Sequence, residues 1–173
     1  ENQIINLCSN VKCKRLFLPI VSDLKDKLHT NIAKNKLNLD SNKIVFLFFG
    51  LIREYKGLDI FLEAINRINA DLLNNFECLV VGESYIDIKQ YKSIIKSNLH
   101  DYVKWYNQYI PDDLVNLYFS ASDYVVLPYK NGSQSGIIPM AYHFDKPVIS
   151  SDLSGLAELV NENTGFVFEN KNI

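Results

Sequence analysis

The chain is poor in most features that announce a function. Its 173 residues carry no excess of either charge, with 18 Lys and Arg against 20 Asp and Glu. That balance supplies no broad positive field for nucleic acid or anionic lipid, and leaves room only for a small local pocket of charge. Cysteine is scarce. Cys8, Cys13 and Cys78 are odd in number and Cys78 sits inside an apolar run, so the thiols read as free ones in a reducing cytoplasm. No apolar stretch approaches the ~20 residues of a membrane span, and no signal peptide opens the chain. Residue 1 is Glu and not Met, which reads as a piece of a longer polypeptide.

Several catalytic signatures are missing as well. Neither Gly-x-Gly-x-x-Gly nor Gly-x4-Gly-Lys-Ser/Thr follows the first apolar run, which removes support for dinucleotide and P-loop readings. Gly132-Ser133-Gln134-Ser135-Gly136 has the outline of a nucleophile elbow, but Gln134 stands where the central serine must be, so hydrolase chemistry is not expected. His29, His100 and His143 are far apart and without ligand spacing. There is no Asp-x-Asp pair, and Asp112-Asp113 after Pro111 reads as a helix start, so no metal cage is expected.

What remains is a regular alternation. Ile44-Val45-Phe46-Leu47-Phe48-Phe49 is a continuous apolar run ended by Gly50, the pattern of a strand buried on both faces. Leu58, Phe61, Leu62, Ile65 and Ile68 then recur at helical spacing. The cycle repeats, with strands expected at 78–81, 103–106, 124–127, 148–150 and 165–168, and helices at 91–99, 114–119, 137–144 and 156–160. Parallel strands need right-handed crossover helices, so the pattern predicts an α/β domain with a doubly wound, Rossmann-like parallel sheet of about six strands. One ordinary domain fits this length, spanning residues 43–173. Residues 1–42, with an extended run at 15–19 and a charged stretch from Asp23 to Asn42, read as a lead-in segment and linker from something upstream.

In the common order 3-2-1-4-5-6, strands one and four are neighbours and ligands bind at their carboxyl ends, where the winding reverses. The loop after strand one carries Gly50, Arg53 and Lys56, and the loop after strand four carries Ser133, Gln134, Ser135 and Gly136. Both are therefore expected at one crevice. Ser135 is a good N-cap and Gly136 precedes a helix, so backbone amides would point at an anion. Lys56 would add a point charge and Arg53 a fork able to grip phosphate oxygens. Taken singly, such residues are usually solvated surface charges or plain turns; their joint placement is what suggests a diphosphate site.

The motifs also resemble a known family. Phe48-Phe49-Gly50-Leu51-Ile52-Arg53-Glu54-Tyr55-Lys56-Gly57, Tyr109-Ile110-Pro111-Asp112 and the run from Tyr118 to Tyr129 are similar to the C-terminal half of group 1, or family 4, glycosyltransferases. So are Ser133-Gln134-Ser135-Gly136, Lys146-Pro147-Val148-Ile149 and Thr164-Gly165-Phe166. The resemblance implies one half of a GT-B fold, binding a nucleotide-diphosphate sugar and transferring the sugar with retention, generally without an essential metal or other cofactor. It implies that Lys56 and Arg53 are the catalytic cations that stabilise the diphosphate leaving group. Many members carry that arginine directly after the glycine, where this chain has Leu51, leaving Arg53 to cover the role.

A second departure concerns the family's Glu-x7-Glu pair, whose positions hold Gly132 and Met140; the Ser-Gln-Ser-Gly variant would hold the donor with amides and hydroxyls. The nucleobase is expected near Gly82-Glu83 and residues 107–110, with Tyr109 as a stacking residue or as core. The implied partners are the nucleotide sugar and, through an N-terminal half, an acceptor glycan or lipid-linked glycan. The implied setting is the cytoplasm, with peripheral attachment to the inner membrane open. The other readings are a non-catalytic nucleotide-binding or interaction module of the same fold, and a flavodoxin-like receiver, disfavoured because Gly50-Leu51-Ile52 lacks an acidic cluster for Mg²⁺.

Overall fold

The computed structural model describes residues 16, 18, 19 and 24–170. Of the extended run expected at 15–19 only Leu16, Leu18 and Pro19 are among them, and Cys8 and Cys13 lie outside. Six parallel strands form one sheet in the order β3-β2-β1-β4-β5-β6: β1 (Ile44–Phe49), β2 (Phe76–Val81), β3 (Val103–Tyr106), β4 (Tyr124–Leu127), β5 (Val148–Ser151) and β6 (Gly165–Phe168). This is the doubly wound order expected from the alternation. β1 pairs with β2 over its whole length and with β4 through Phe46↔Tyr124 and Leu47↔Val125, so β1 and β4 lie side by side at the point where the winding reverses.

Because side chains alternate across a strand, each apolar run feeds two cores. Val45, Leu47, Leu79, Val81, Val125 and Leu127 face one side, where Ala33, Phe119, Ile138, Ala141 and Leu156 cover them. These come from the helices α1 (Thr30–Lys36), α4 (Asp112–Ala121), α5 (Ile137–His143) and α6 (Ser154–Ala157). Phe48, Cys78, Val80 and Val126 face the other side, against Leu58, Phe61, Leu62 and Ile65 of α2 (Leu58–Asn66) and Tyr91 of α3 (Ile88–Lys92). Phe48, Phe119 and Leu47 are almost fully buried, and each such side chain contributes about 1.5–3 kcal/mol relative to exposure. Burial also pushes the Cys78 thiol up and keeps it protonated and inert.

The stretch read as a lead-in contributes α1 to this core. Its Lys34 is buried and bridges the Asp123 carboxylate at 2.9 Å and the Lys43 carbonyl at 2.7 Å, while Asp123 also accepts the Val45 amide at 2.8 Å. The expected helix over 91–99 differs more. α3 stops at Lys92, and a separate 3-10 turn runs Ser97–Tyr102. The reason is tertiary: Asn66 donates its side-chain amide to the Ile94 carbonyl at 2.7 Å and accepts the Lys96 amide at 3.0 Å, replacing the helical ladder between them.

Candidate functional site

At the carboxyl ends of β1, β2 and β4 an open cleft of about 870 Å³ is lined by Leu51, Arg53, Glu54, Tyr55 and Lys56 after β1, Tyr85 and Ile86 after β2, and Lys130 after β4. The loop after β1 builds most of it. Its 3-10 turn, Glu54–Lys56, folds Lys56 back beneath the loop, so that the residue is only 8% exposed. Its Nζ lies 2.9 Å from where a Cβ on Gly50 would stand, and 5.9 Å from the centre of the Tyr129 ring. Among the described residues no carboxylate pairs with it. Burial, reinforced by the neighbouring Arg53 charge, pushes the Lys56 ammonium below its ordinary range.

Arg53 behaves oppositely. It is exposed, and its guanidinium lies over the Tyr85 ring at 5.2 Å, held on the cleft wall by a cation–π contact. Leu51 is 41% exposed and lines the same cleft, so it is not part of the core. Lys130, the third lysine or arginine there, is engaged by Asp59 at 2.6 Å. Lys56, Arg53 and Leu51 thus line one cleft.

Gly50 and Gly82 meet through their backbones. Gly82 has a φ of +138° and a Cβ added to it would fall 2.1 Å from the Gly50 carbonyl oxygen, so only glycine allows the β1 and β2 loops to close on each other. Beyond them, Ser84 donates its amide to the Asn107 side chain at 2.8 Å, ordering the β2 and β3 loops at the cleft's edge. Tyr109 is 66% exposed and is not core; it does not line this cleft.

The loop after β4 divides its residues. Ser133, Gln134 and Gly136 are exposed, whereas Ser135 is buried, its hydroxyl accepting the Ile137 amide at 3.2 Å and pairing with the Tyr129 hydroxyl at 3.1 Å. Ser135 therefore turns inward and holds the first amide of α5, but the N-cap position expected for it is occupied by Gly136. Gln134 and Ser135 line a separate, smaller cavity of about 130 Å³ against α5 and α6, and none of Ser133, Gln134, Ser135 and Gly136 lines the Lys56 cleft, contrary to the single crevice expected for the two loops. α5 is only seven residues long, so what it offers is local amides and not a long dipole. A third, apolar groove of about 450 Å³ runs beside α2 over Phe46, Val126 and Ile149, and of its lining only Arg67 is charged.

Two residues absent from the expected set hold this arrangement. Gly155, at the start of α6, packs so closely that a Cβ on it would lie 1.6 Å from the Ser133 carbonyl oxygen. Tyr129, 4% exposed, stands between the two loops. The signal for Tyr129 was its position directly after Pro128 at the end of β4; for Gly155 there was none, since Ser133 is far away in the chain. No group of three His, Cys, Asp or Glu able to hold a metal occurs among the described residues, and no described helix is long and apolar enough to cross a membrane.

The family model described as "Glycosyl transferases group 1" matches residues 43–173. A Klebsiella pneumoniae relative, "Uncharacterized 41.2 kDa protein in cps region", is 25% identical over 167 residues, covering 95% of this chain and 44% of its own. Among solved structures, WaaG, a glycosyltransferase involved in lipopolysaccharide biosynthesis, superposes with a TM-score of 0.74 at 19% identity, over 83% of this chain and 38% of that one. Anabaena Alr3699/HepE in complex with UDP-glucose does so at 0.66 and 18% identity, over 84% and 43%. The two structures share the fold, and the chain spans less than half the length of each of the three.

Proposed function

Because this chain belongs to the group 1 glycosyl transferases, we propose that it is the donor-binding half of a retaining glycosyltransferase of hexosyltransferase type, with Lys56 and Arg53 holding the diphosphate of a nucleotide sugar. The observation that carries the reading is the Lys56 ammonium, buried at the switch point with no carboxylate partner among the described residues. Buried charges are normally paired, because an isolated one forfeits its hydration. An anionic ligand would supply the missing partner. Sugar transfer breaks the bond between the anomeric carbon and the β-phosphate oxygen, and charge accumulates on that oxygen as the bond lengthens. A buried cation at fixed distance stabilises that charge more than it stabilises the ground state, which is how it would raise the rate. Arg53 would grip the more exposed phosphate oxygens through its fork.

The donor class is supported by the UDP-glucose complex of one structural neighbour, and a role in glycan synthesis by the lipopolysaccharide function of the other. The acceptor, a glycan or a lipid-linked glycan, would be met by a second half facing this cleft, at the cytoplasmic side of the inner membrane. Calorimetric titration with UDP, GDP, ADP and their sugars tests the reading. One nucleoside diphosphate should bind with a Kd on the order of 10 μM to 1 mM, and its monophosphate more weakly. Failure of all three diphosphates to bind would overturn it.

A further inference from the structure

Tyr129 contacts both loops of the proposed diphosphate site, through Lys56 and Ser135, and yet is too buried to offer more than an edge of itself to a ligand. Its ring lies 5.9 Å from the Lys56 ammonium and edge-on to Tyr55 at 6.0 Å, both in the loop after β1. Its hydroxyl pairs at 3.1 Å with Ser135, which in turn holds the Ile137 amide at the start of α5. Its carbonyl accepts the Ser151 hydroxyl at 2.8 Å, tying it to β5, and the next amide, that of Lys130, donates to the Tyr55 carbonyl at 2.7 Å. The phenol stays neutral: burial, partly offset by the Ser135 bond, pushes its pKa up to about 12. A neutral aromatic face is one of few surfaces that can lie against a desolvated ammonium without pairing with it. A carboxylate in the same place would neutralise the lysine and compete with the ligand.

We propose that Tyr129 is the positioning residue of the site, holding the unpaired Lys56 ammonium with its ring and the Ser133–Gln134–Ser135–Gly136 loop with its hydroxyl, so that the two loops recognise a diphosphate as one unit. The proposal rests on the diphosphate reading above. Its ring and hydroxyl have separable tasks. Tyr129→Phe keeps the ring beside Lys56 and releases Ser135; Tyr129→Leu releases both.

The test is the preference for diphosphate over monophosphate, read by calorimetry with UDP, GDP and ADP each against its own monophosphate. In the unsubstituted protein this preference should exist and should largely vanish in Lys56→Ala; its absence would overturn the site and the inference with it. Tyr129→Phe should lower the preference about 3- to 10-fold, the range of one hydrogen bond, and adding Ser135→Ala should lower it no further. Tyr129→Leu should reduce it to the Lys56→Ala level while having no additional effect on top of Lys56→Ala. Monophosphate affinity should hold in all of these, which a residue serving only the fold would not allow. A preference unchanged in Tyr129→Phe, or a parallel loss of mono- and diphosphate binding, would overturn the inference and leave the site standing.

Discussion

A Cβ on Gly82 would come within 2.1 Å of the Gly50 carbonyl oxygen, although 32 residues separate the two in the chain. Gly82→Ala therefore meets a backbone clash as well as an unfavourable φ. It should destabilise the protein by about 2–3 kcal/mol or more and displace the loop that carries Arg53 and Lys56. Gly136→Ala is the control: nothing lies within 4 Å of the added Cβ and its φ is −67°, so its stability should change by no more than about 0.5 kcal/mol. Thermal unfolding of both variants checks the contrast.

The cleft contains a leucine where a charge would be useful. Leu51 is half-exposed beside Arg53 and Lys56, so Leu51→Arg should tighten diphosphate binding without loss of fold. Lys56→Ala should weaken it roughly 10- to 150-fold, as expected for losing about 1.5–3 kcal/mol from a charged hydrogen bond. Arg53→Ala, which also frees Tyr85, should weaken it less, since Arg53 is exposed and its charge screened. A Leu51→Arg variant that unfolds would show that the leucine is packed.

Positive charge from Lys56 and Arg53 should be sufficient for diphosphate binding. Affinity for the preferred nucleoside diphosphate should therefore survive excess EDTA within about twofold. A tenfold or larger loss on chelation would assign the charge to a divalent ion.

Burial lowers the Lys56 pKa from its ordinary 10.5, which gives two opposite pH dependences. Between the folded pKa and 10.5 the unfolded chain holds more protons than the folded one, so this group makes the free protein more stable as pH rises through that window. On the proposed reading a diphosphate pairs with the charged ammonium, so affinity should fall over the same window. The raised tyrosines, Tyr129 among them, act against the stability gain above pH 10, and Lys146, itself lowered by burial, acts with it. Comparing the unsubstituted protein with Lys56→Met isolates the lysine: the difference in stability should narrow as pH rises through the window, and the difference in diphosphate affinity should narrow with it. A pH-independent difference would place the ammonium in water.

The sheet was legible in the sequence because its information is local. The run of six apolar residues, Ile44–Phe49, marks a strand covered on both faces, which Val45, Leu47 and Phe48 bear out by being buried, and the handedness of crossovers leaves few orders for six parallel strands. The same rules bring the loop of Lys56 and the loop of Ser135 to one end of the sheet. Local pattern failed where a distant residue intervened: the helix over 91–99 is broken by Asn66, which no periodicity around Tyr91 contains. The exposed stacking of Arg53 on Tyr85, the inward turn of Ser135 and the bridge made by Tyr129 were likewise decided only by tertiary structure. Residue type and spacing determine which charges arrive at the switch point; whether an ammonium there is desolvated and unpaired depends on what the rest of the chain packs against it.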